Sequence, residues 1–367
     1  MNDGPRYDIA IVGAGIAGAS LAAAIRGRAS VLLIEAEDVP GYHATGRSAA
    51  FWSESYGGPG VQPLTTASGP PLRAGGFLQP LGSLHIGRSE DAAKIEAFLA
   101  EFAGTGVALQ AVDPATLVPG LRPEWTLGVM EASSAYIDVS GLHADCLARA
   151  KRDGVVRVGN ATLLAATRNG GTWRLETRAG MFEADVIVDA AGAWADPVAR
   201  IAGAHPIGIQ PYRRTVVQLR TDPPSHEGLP HVSDIGGNFY FKPEAGGKLW
   251  LSPHDETPVD PHDAQAEELD VAIAIDRFES VVDWRVTAVE RRWAGLRSFA
   301  PDRLPVYGFD ARTPGFFWCA GQGGFGIQTA PAAAALAASL LLGVTPDESV
   351  AAIDPAMYAP ARFAARK

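Results

Sequence analysis

Three glycines and one acid near the start of the chain carry the clearest chemistry. Gly13, Gly15 and Gly18 fall at G-x-G-x-x-G spacing, and Glu35 follows Gly18 by seventeen residues. At that spacing the first glycine allows a tight turn and the second lets a pyrophosphate approach the backbone. The third lets a helix pack close to a strand. An acid about 20 residues further on binds an adenosine ribose through its hydroxyls. A second candidate is Gly46-Arg47-Ser48, a cation, a hydroxyl and free amides that suit pyrophosphate oxygens. Its alternative is a surface loop with a helix N-cap at Thr45 or Ser48. The third is GQGGFGIQT at 321–329, where four glycines in six residues precede an apolar stretch. That arrangement makes an anion- or ring-binding helix start. Arg291, Arg292 and Arg297 either hold an anion or form a solvated strand face, and by residue type alone the solvated face is preferred. Phe51, Trp52 and Tyr56 read first as core.

These groups need particular elements to position them. Residues 9–12 form a continuous apolar run, as in a strand buried on both faces of a parallel sheet. An alanine-rich helix over 19–26 and a second apolar strand over 30–34, ending on Glu35, complete the unit. Segment 40–52 starts polar and then turns helical, and 57–73, rich in Gly and Pro, reads as loop. Residues 77–87 alternate as one strand, 90–102 have helical spacing, and 128–139 read as extended. Ser140 caps a helix running to about Arg152. Segments 155–158, 163–169 and 173–177 read as short antiparallel strands, with Gly170-Gly171 as a hairpin turn. An apolar strand over 184–189 leads into small residues, which permit close approach of backbone to a ligand. Asp196-Pro197 then opens another helix. From 210 to 251 strands follow one another without helices (216–219, 238–242, 248–251), and 267–278 is an amphipathic helix. This reads as an antiparallel sheet inserted into the first unit, to which 291–299 and 315–320 return. The fold class is therefore α/β: a Rossmann-like dinucleotide-binding domain with a parallel sheet, over 1–72, 136–208 and 292–367. An inserted α+β domain with an antiparallel sheet, over 73–135 and 209–291, would hold the substrate.

Composition bounds the function. With 367 residues, 47% hydrophobic and 20% charged, the chain has material for about two domains. A net charge of −10 speaks against a nucleic-acid partner. Cys146 and Cys319 cannot build a disulfide framework, as expected in a reducing cytoplasm. The first strand begins within a few residues of Met1, so no signal peptide is expected. The most apolar run, 330–344, is about fifteen residues where a membrane span needs ~20; a buried helix is expected there and no transmembrane segment. No Cys/His cluster has metal-ligand spacing, so no metal is expected. His205, His226, His231, His254 and His262 read as solvated or capping residues. There is no G-x-S-x-G, which removes support for a serine hydrolase.

The glycine–acid unit, GYHATGRSAA at 41–50, VDAAGAW at 188–194, WAGLRS at 293–298 and GQGGFGIQ at 321–328 together resemble the FAD-dependent D-amino acid oxidase superfamily. The branch most similar is that of D-arginine dehydrogenase. The resemblance implies FAD, held extended, with adenosine on the Gly13–Glu35 unit and the isoalloxazine over the inserted domain. The cofactor contacts it implies are Gly13, Gly15, Ile16, Ala17, Gly18, Glu35 and Ala36 in the first unit. Thr45, Gly46, Arg47, Ser48, Ala49 and Ala50 follow, then Leu163, Ala191, Gly192 and Trp194. The last set is Gly321, Gly323, Gly324, Phe325, Gly326, Ile327 and Gln328. The activity implied is oxidative deamination of a D-amino acid by hydride transfer from the α-carbon, with oxygen or a quinone re-oxidising the flavin.

On the same resemblance Arg297 pairs with the substrate carboxylate, a role its planar fork of donors suits. Tyr240 is a hydroxyl lid on that group and Arg214 a further cation, while Gly324 and Gln328 border ring and substrate. Phe51, Tyr56 and Ser83 join them in the substrate pocket. The helix after Gln328 would aim its positive end at the flavin and favour negative charge on the reduced ring. No protein base is implied if the amine enters neutral. Sarcosine oxidase relatives link flavin to a cysteine near the arginine block; here Ser298 lies there instead, so a non-covalent FAD is expected. Where the D-arginine branch carries a histidine and an acid, this chain has Phe51 and Ser83, so a neutral or apolar substrate side chain is expected rather than a basic one. The alternatives are a 2-hydroxy acid or secondary amine as substrate, or a flavin-binding protein without turnover.

Overall fold

The computed structural model describes residues 4–49, 51–226 and 228–363, so the expectation for Ala50 lies outside the described residues. Its first strand, Arg6–Val12, is buried over its last four residues and runs parallel to Val31–Ile34 on one side and Gly180–Asp189 on the other. The apolar run is continuous rather than alternating because both faces are covered. One face packs against the helices Ile16–Ile25, Val139–Arg152 and Gly326–Leu342. The other packs against the helix Ala195–Ile201. The hairpin Leu163–Asn169/Thr172–Thr177 turns at Gly170 and Gly171, with φ of +59° and +95°, a conformation that the glycines supply without strain.

The second sheet is built on one long antiparallel pair, Gln210–Asp222 against Arg285–Phe299. Outward from it lie Lys248–Ser252, Tyr240–Glu244, His231–Asp234, Ser83–Gly87 and Leu127–Glu131. The helix Glu268–Glu279 packs into a core beneath this sheet with Leu84, Val232, Phe241 and Leu251.

Several local expectations give way to tertiary structure. Residues Gln62–Ala74 form a helix although Pro70 and Pro71 lie inside it. Leu64 and Leu72 share a core with the helix Gly326–Leu342, and Ser68 Oγ accepts from Ala332 N–H at 3.1 Å; that packing outweighs the missing hydrogen bonds. Residues 41–47 are successive turns that lead to the short strand Phe51–Trp52, with no helix among the described residues of this segment. The single strand expected over 77–87 is two, Leu78–Pro80 and Ser83–Gly87, in different sheets and broken where Gly82 takes φ +75°. Val156–Val158 pairs parallel with Val31–Ile34, because the helix Val139–Arg152 returns the chain to the same end of the sheet. Residues 291–299 stay within the strand Arg285–Phe299 of the second sheet instead of rejoining the first.

The cap of the helix Val139–Arg152 is Asp138, two residues before the expected Ser140; its Oδ1 accepts from Gly141 N–H at 2.9 Å. Asp138→Ala is expected to cost about 1 kcal/mol, seen as a lower urea midpoint, whereas Ser140→Ala should leave the midpoint in place.

Candidate active site

The carboxyl ends of the parallel strands open on a cleft of about 430 Å³, where ligands of open α/β sheets bind. Gly13, Gly15, Ile16 and Ala17 line it from the first turn, Glu35 and Ala36 from the end of the second strand. Ala191, Gly192 and Trp194 line it from the third, and Leu163 from the hairpin. The glycines are sterically required. Gly13 has φ +103°, and a Cβ there would stand 2.5 Å from Ala190 O. A Cβ on Gly18 would stand 1.9 Å from Gly13 O, so Gly18 sets the helix–strand approach and does not itself line the cleft. The Glu35 carboxylate is fixed by Ala14 N–H at 2.9 Å and Glu37 N–H at 3.0 Å. Each oxygen keeps lone pairs for ribose hydroxyls. Sequence reasoning missed His143, whose Nε2 donates to Ala14 O at 2.8 Å and steadies the glycine turn from the neighbouring helix. These residues fit a dinucleotide: the cradle admits backbone-to-phosphate contact and the acid stands at the strand end.

The turns at 41–48 form the seam between the two sheets. Thr45 Oγ1 accepts from Ile16 N–H at 3.0 Å and so caps the helix at the glycine turn. Gly46 closes a turn onto Gly41 O at 2.7 Å and does not line the cleft. Arg47 lines the cleft, yet its guanidinium is committed to the Asp263 carboxylate, Ala264 O at 2.8 Å and Ala294 O at 3.3 Å. Trp293 Nε1 donates back to Arg47 O at 3.0 Å. Ser48 lines the cleft, and Ala49 lies beyond it against Val216 and Tyr240.

A smaller chamber of about 220 Å³ adjoins the cleft, and Ser48, Arg297, Gly324 and Ile327 line both. Gly323 and Gly326 line the cleft wall at the start of the helix Gly326–Leu342. Gly321 and Phe325 serve packing: Gly321 takes φ +72° against Ala300, and Phe325 lies 5.0 Å from the Tyr56 ring. Gln328 lines the chamber but its amide knits the backbone together, accepting from Ser53 N–H at 3.2 Å and donating to Tyr56 O at 3.0 Å and Thr65 Oγ1 at 3.1 Å. The loop ahead of Tyr56 is also fixed by the fully buried Glu131, which accepts from Ser53 Oγ at 2.8 Å and Glu54 N–H at 2.7 Å.

Arg297 and the tyrosines converge at the junction. A Cβ added to Gly324 would stand 2.5 Å from the Tyr56 hydroxyl and 3.2 Å from Arg297 Nε. Arg297 Nε and the Tyr240 hydroxyl are buried and without a hydrogen-bond partner. Burial opposes the Arg297 charge, but the Tyr56 and Tyr240 oxygens and Asp255 more than offset it, so its pKa lies above the ordinary value. Arg214 lines neither space. It sits behind, 2% exposed, donating to Asp255 O at 2.7 Å and Glu256 Oε1 at 3.0 Å. Burial, and then the nearby Arg297 charge, push its pKa down.

The chamber floor corrects the reading of His231 as a solvated residue: it is 2% exposed. Parallel pairing sets His231 beside Ser83 and Ser233 beside His85. Ser83 Oγ meets His231 Nδ1 at 3.2 Å, and Ser233 Oγ meets His85 Nδ1 at 3.0 Å. The His231 ring lies 4.1 Å from Phe51. Ser-x-His at 83–85 and His-x-Ser at 231–233 were the available signal, an alternation that puts both pairs on one strand face.

A glycine turn under a helix, an acid at the next strand end and a second chamber on an inserted sheet define a dinucleotide-binding oxidoreductase architecture. The chain belongs to the DAO family of FAD-dependent oxidoreductases, whose model matches residues 8–340, and FAD is its cofactor. It is 28% identical to glycine oxidase of Pseudomonas putida over 191 residues, 51% of this chain and 48% of that protein. It is 27% identical to the bifunctional protein ThiO/ThiG of Synechocystis over 249 residues, 67% of this chain and 36% of that protein. The chain thus spans about half the length, or less, of these curated relatives. Among solved structures, L-proline dehydrogenase from P. horikoshii superposes with TM-score 0.86 at 20% identity, covering 98% of both chains. Glycine oxidase from Geobacillus kaustophilus gives 0.81 at 22%, covering 95% of this chain and 99% of that one. At these identities the likeness is one of fold. Among the described residues no helix is long and apolar enough to cross a membrane, and no group of side chains could hold a metal.

Glu35→Ala should weaken FAD binding by about 1.5–3 kcal/mol, the scale of a hydrogen bond to a charged group. Fluorescence titration of apoprotein with FAD measures it; an unchanged affinity would move the adenosine site elsewhere.

Proposed function

We propose that the protein oxidises the C–N bond of a D-amino acid with a neutral side chain, with Arg297 holding the substrate carboxylate. The observation that carries this reading is a buried guanidinium at the junction of cleft and chamber, its Nε unpartnered and the Tyr56 hydroxyl beside it. Such a cation suits a carboxylate that arrives with the substrate. Bound FAD would supply the acceptor for the hydride, which carries both electrons of the oxidation. Arg297 orients the carboxylate, the unpartnered Tyr240 hydroxyl donates to it, and the Phe51 and Tyr56 rings, 5.1 Å apart, keep water from the reacting carbon. No side chain is asked to take a proton if the amine enters neutral. Asp234, on the chamber wall, is already bonded to Asn238 N–H at 3.0 Å.

The D hand rests on the likeness of the motif blocks to the D-arginine dehydrogenase branch, and the neutral side chain on Phe51 and Ser83 in the chamber. A secondary amine or cyclic imino acid is the second reading. It is supported by a likeness to human dimethylglycine dehydrogenase, 29% identical over 126 residues, 34% of this chain and 14% of that protein. Bleaching of the flavin by a substrate panel under anaerobic conditions separates these readings, since only a true substrate reduces the ring. Reduction by L- but not D-amino acids would overturn the proposed hand.

Neither Cys146 nor Cys319 lines the cleft, and denaturation is expected to release free FAD. A yellow, denatured polypeptide would contradict this.

Arg297→Ala leaves the substrate carboxylate buried and unpaired, a loss of about 3–5 kcal/mol, or roughly 10²–10⁴-fold in kcat/KM. Arg297→Lys should recover part of that, and FAD content should stay at the wild-type level. A loss below about tenfold in kcat/KM would return Arg297 to a structural role.

A further inference from the structure

His85 and His231 serve neither the carboxylate site nor the core. Both line the smaller chamber, and the Nε2 of each is buried and without a partner. Each Nδ1 is taken by the serine across the strand pair. A buried polar atom left unpaired is costly, and such atoms are normally bonded when a site is filled. Burial holds both imidazoles neutral: His85 is pushed down to about 4, and His231 falls well below the ordinary histidine value by burial and then by the nearby His85. A serine hydroxyl either donates to Nδ1 or accepts from it, so each Nε2 is free to present an N–H or a lone pair.

The surrounding charges are already engaged. Lys242 is paired with Glu244, Arg214 with Glu256, and Asp234 with the backbone and side chain of Asn238. Among the described residues, an ionised side chain entering here would find no free counter-ion beyond Arg297. An aliphatic one would leave two buried ring nitrogens unpaired, and a site built for hydrogen bonds rejects the isostere that lacks them.

We propose that the chamber selects an amino acid whose side chain ends in an uncharged carboxamide, its oxygen and nitrogen bonded to the Nε2 atoms of His85 and His231. This rests on the amino-acid reading above and narrows it: the specificity-determining residues are the two histidines, each oriented by its serine.

The test compares isosteres on the holoenzyme. Asparagine and leucine, glutamine and methionine, and aspartate and glutamate, each in both hands, are assayed by anaerobic flavin reduction. The amides are expected to lead their apolar isosteres by roughly 10²-fold in kcat/KM. His85→Leu and His231→Leu should each shrink that ratio by about tenfold or more, with FAD content retained. Succinamate and 4-methylpentanoate, which carry the carboxylate but no amine, test binding without turnover through the flavin spectrum. Wild type should bind the amide more tightly, and the leucine variants should lose that preference. A preference for leucine, for aspartate or for neither overturns this inference while leaving the amino-acid reading standing. Failure of every amino acid to reduce the flavin overturns both.

Discussion

A guanidinium buried without a bonded carboxylate is expensive, and much of this architecture answers the demands of Arg297. The long strand Arg285–Phe299 of the second sheet carries it to the junction of cleft and chamber. Gly324 has no side chain to obstruct it, and the Tyr56 hydroxyl comes close over that glycine. Tyr56 in turn depends on Gln328 and on the buried Glu131, which fix the backbone on either side of Ser55. Opposed to this is Arg214, a second buried cation whose own partners keep it from the chamber. The Arg297 charge sits close enough to disfavour that of Arg214, and Asp255 favours both. Groups contributed from distant stretches of chain thus fix the surroundings of Arg297.

The parts of this arrangement that were legible in the sequence are those whose requirements are local. Gly18 is dictated by the backbone of Gly13 five residues earlier and Gly13 by the positive φ of its turn, and the apolar strands with Glu35 follow from burial on two faces. What was illegible depends on partners far along the chain. The helix Gln62–Ala74 overrides its prolines by packing on a helix that begins at Gly326. His231 looked like a loop residue because the strand that buries it contains Ser83, 148 positions earlier. Arg297 could be told from Arg291 and Arg292 only by likeness to a family, since all three share one strand.

The seam at 41–48 shows how local chemistry is redirected by tertiary contacts. A cation, a hydroxyl and a helix cap looked equally suited to phosphate or to plain structure. Thr45 caps the glycine-turn helix, and Arg47 is bonded to Asp263 and to backbone carbonyls of the inserted region. The segment therefore joins the glycine cradle to the second sheet, and the cleft and the smaller chamber share a wall at Ser48.

The pairing of Ser83–Gly87 with His231–Asp234 has a consequence for how this chamber can diverge. Leu84 and Val232 alternate with the serines and histidines and point into the core instead. Because side chains on a strand repeat with period two, a one-residue shift of the pairing register of either strand would bring Leu84 or Val232 to the chamber. A hydrophilic floor would become an oily one although every residue type in the two strands stayed the same. The character of that floor is encoded in register along the strand as much as in composition.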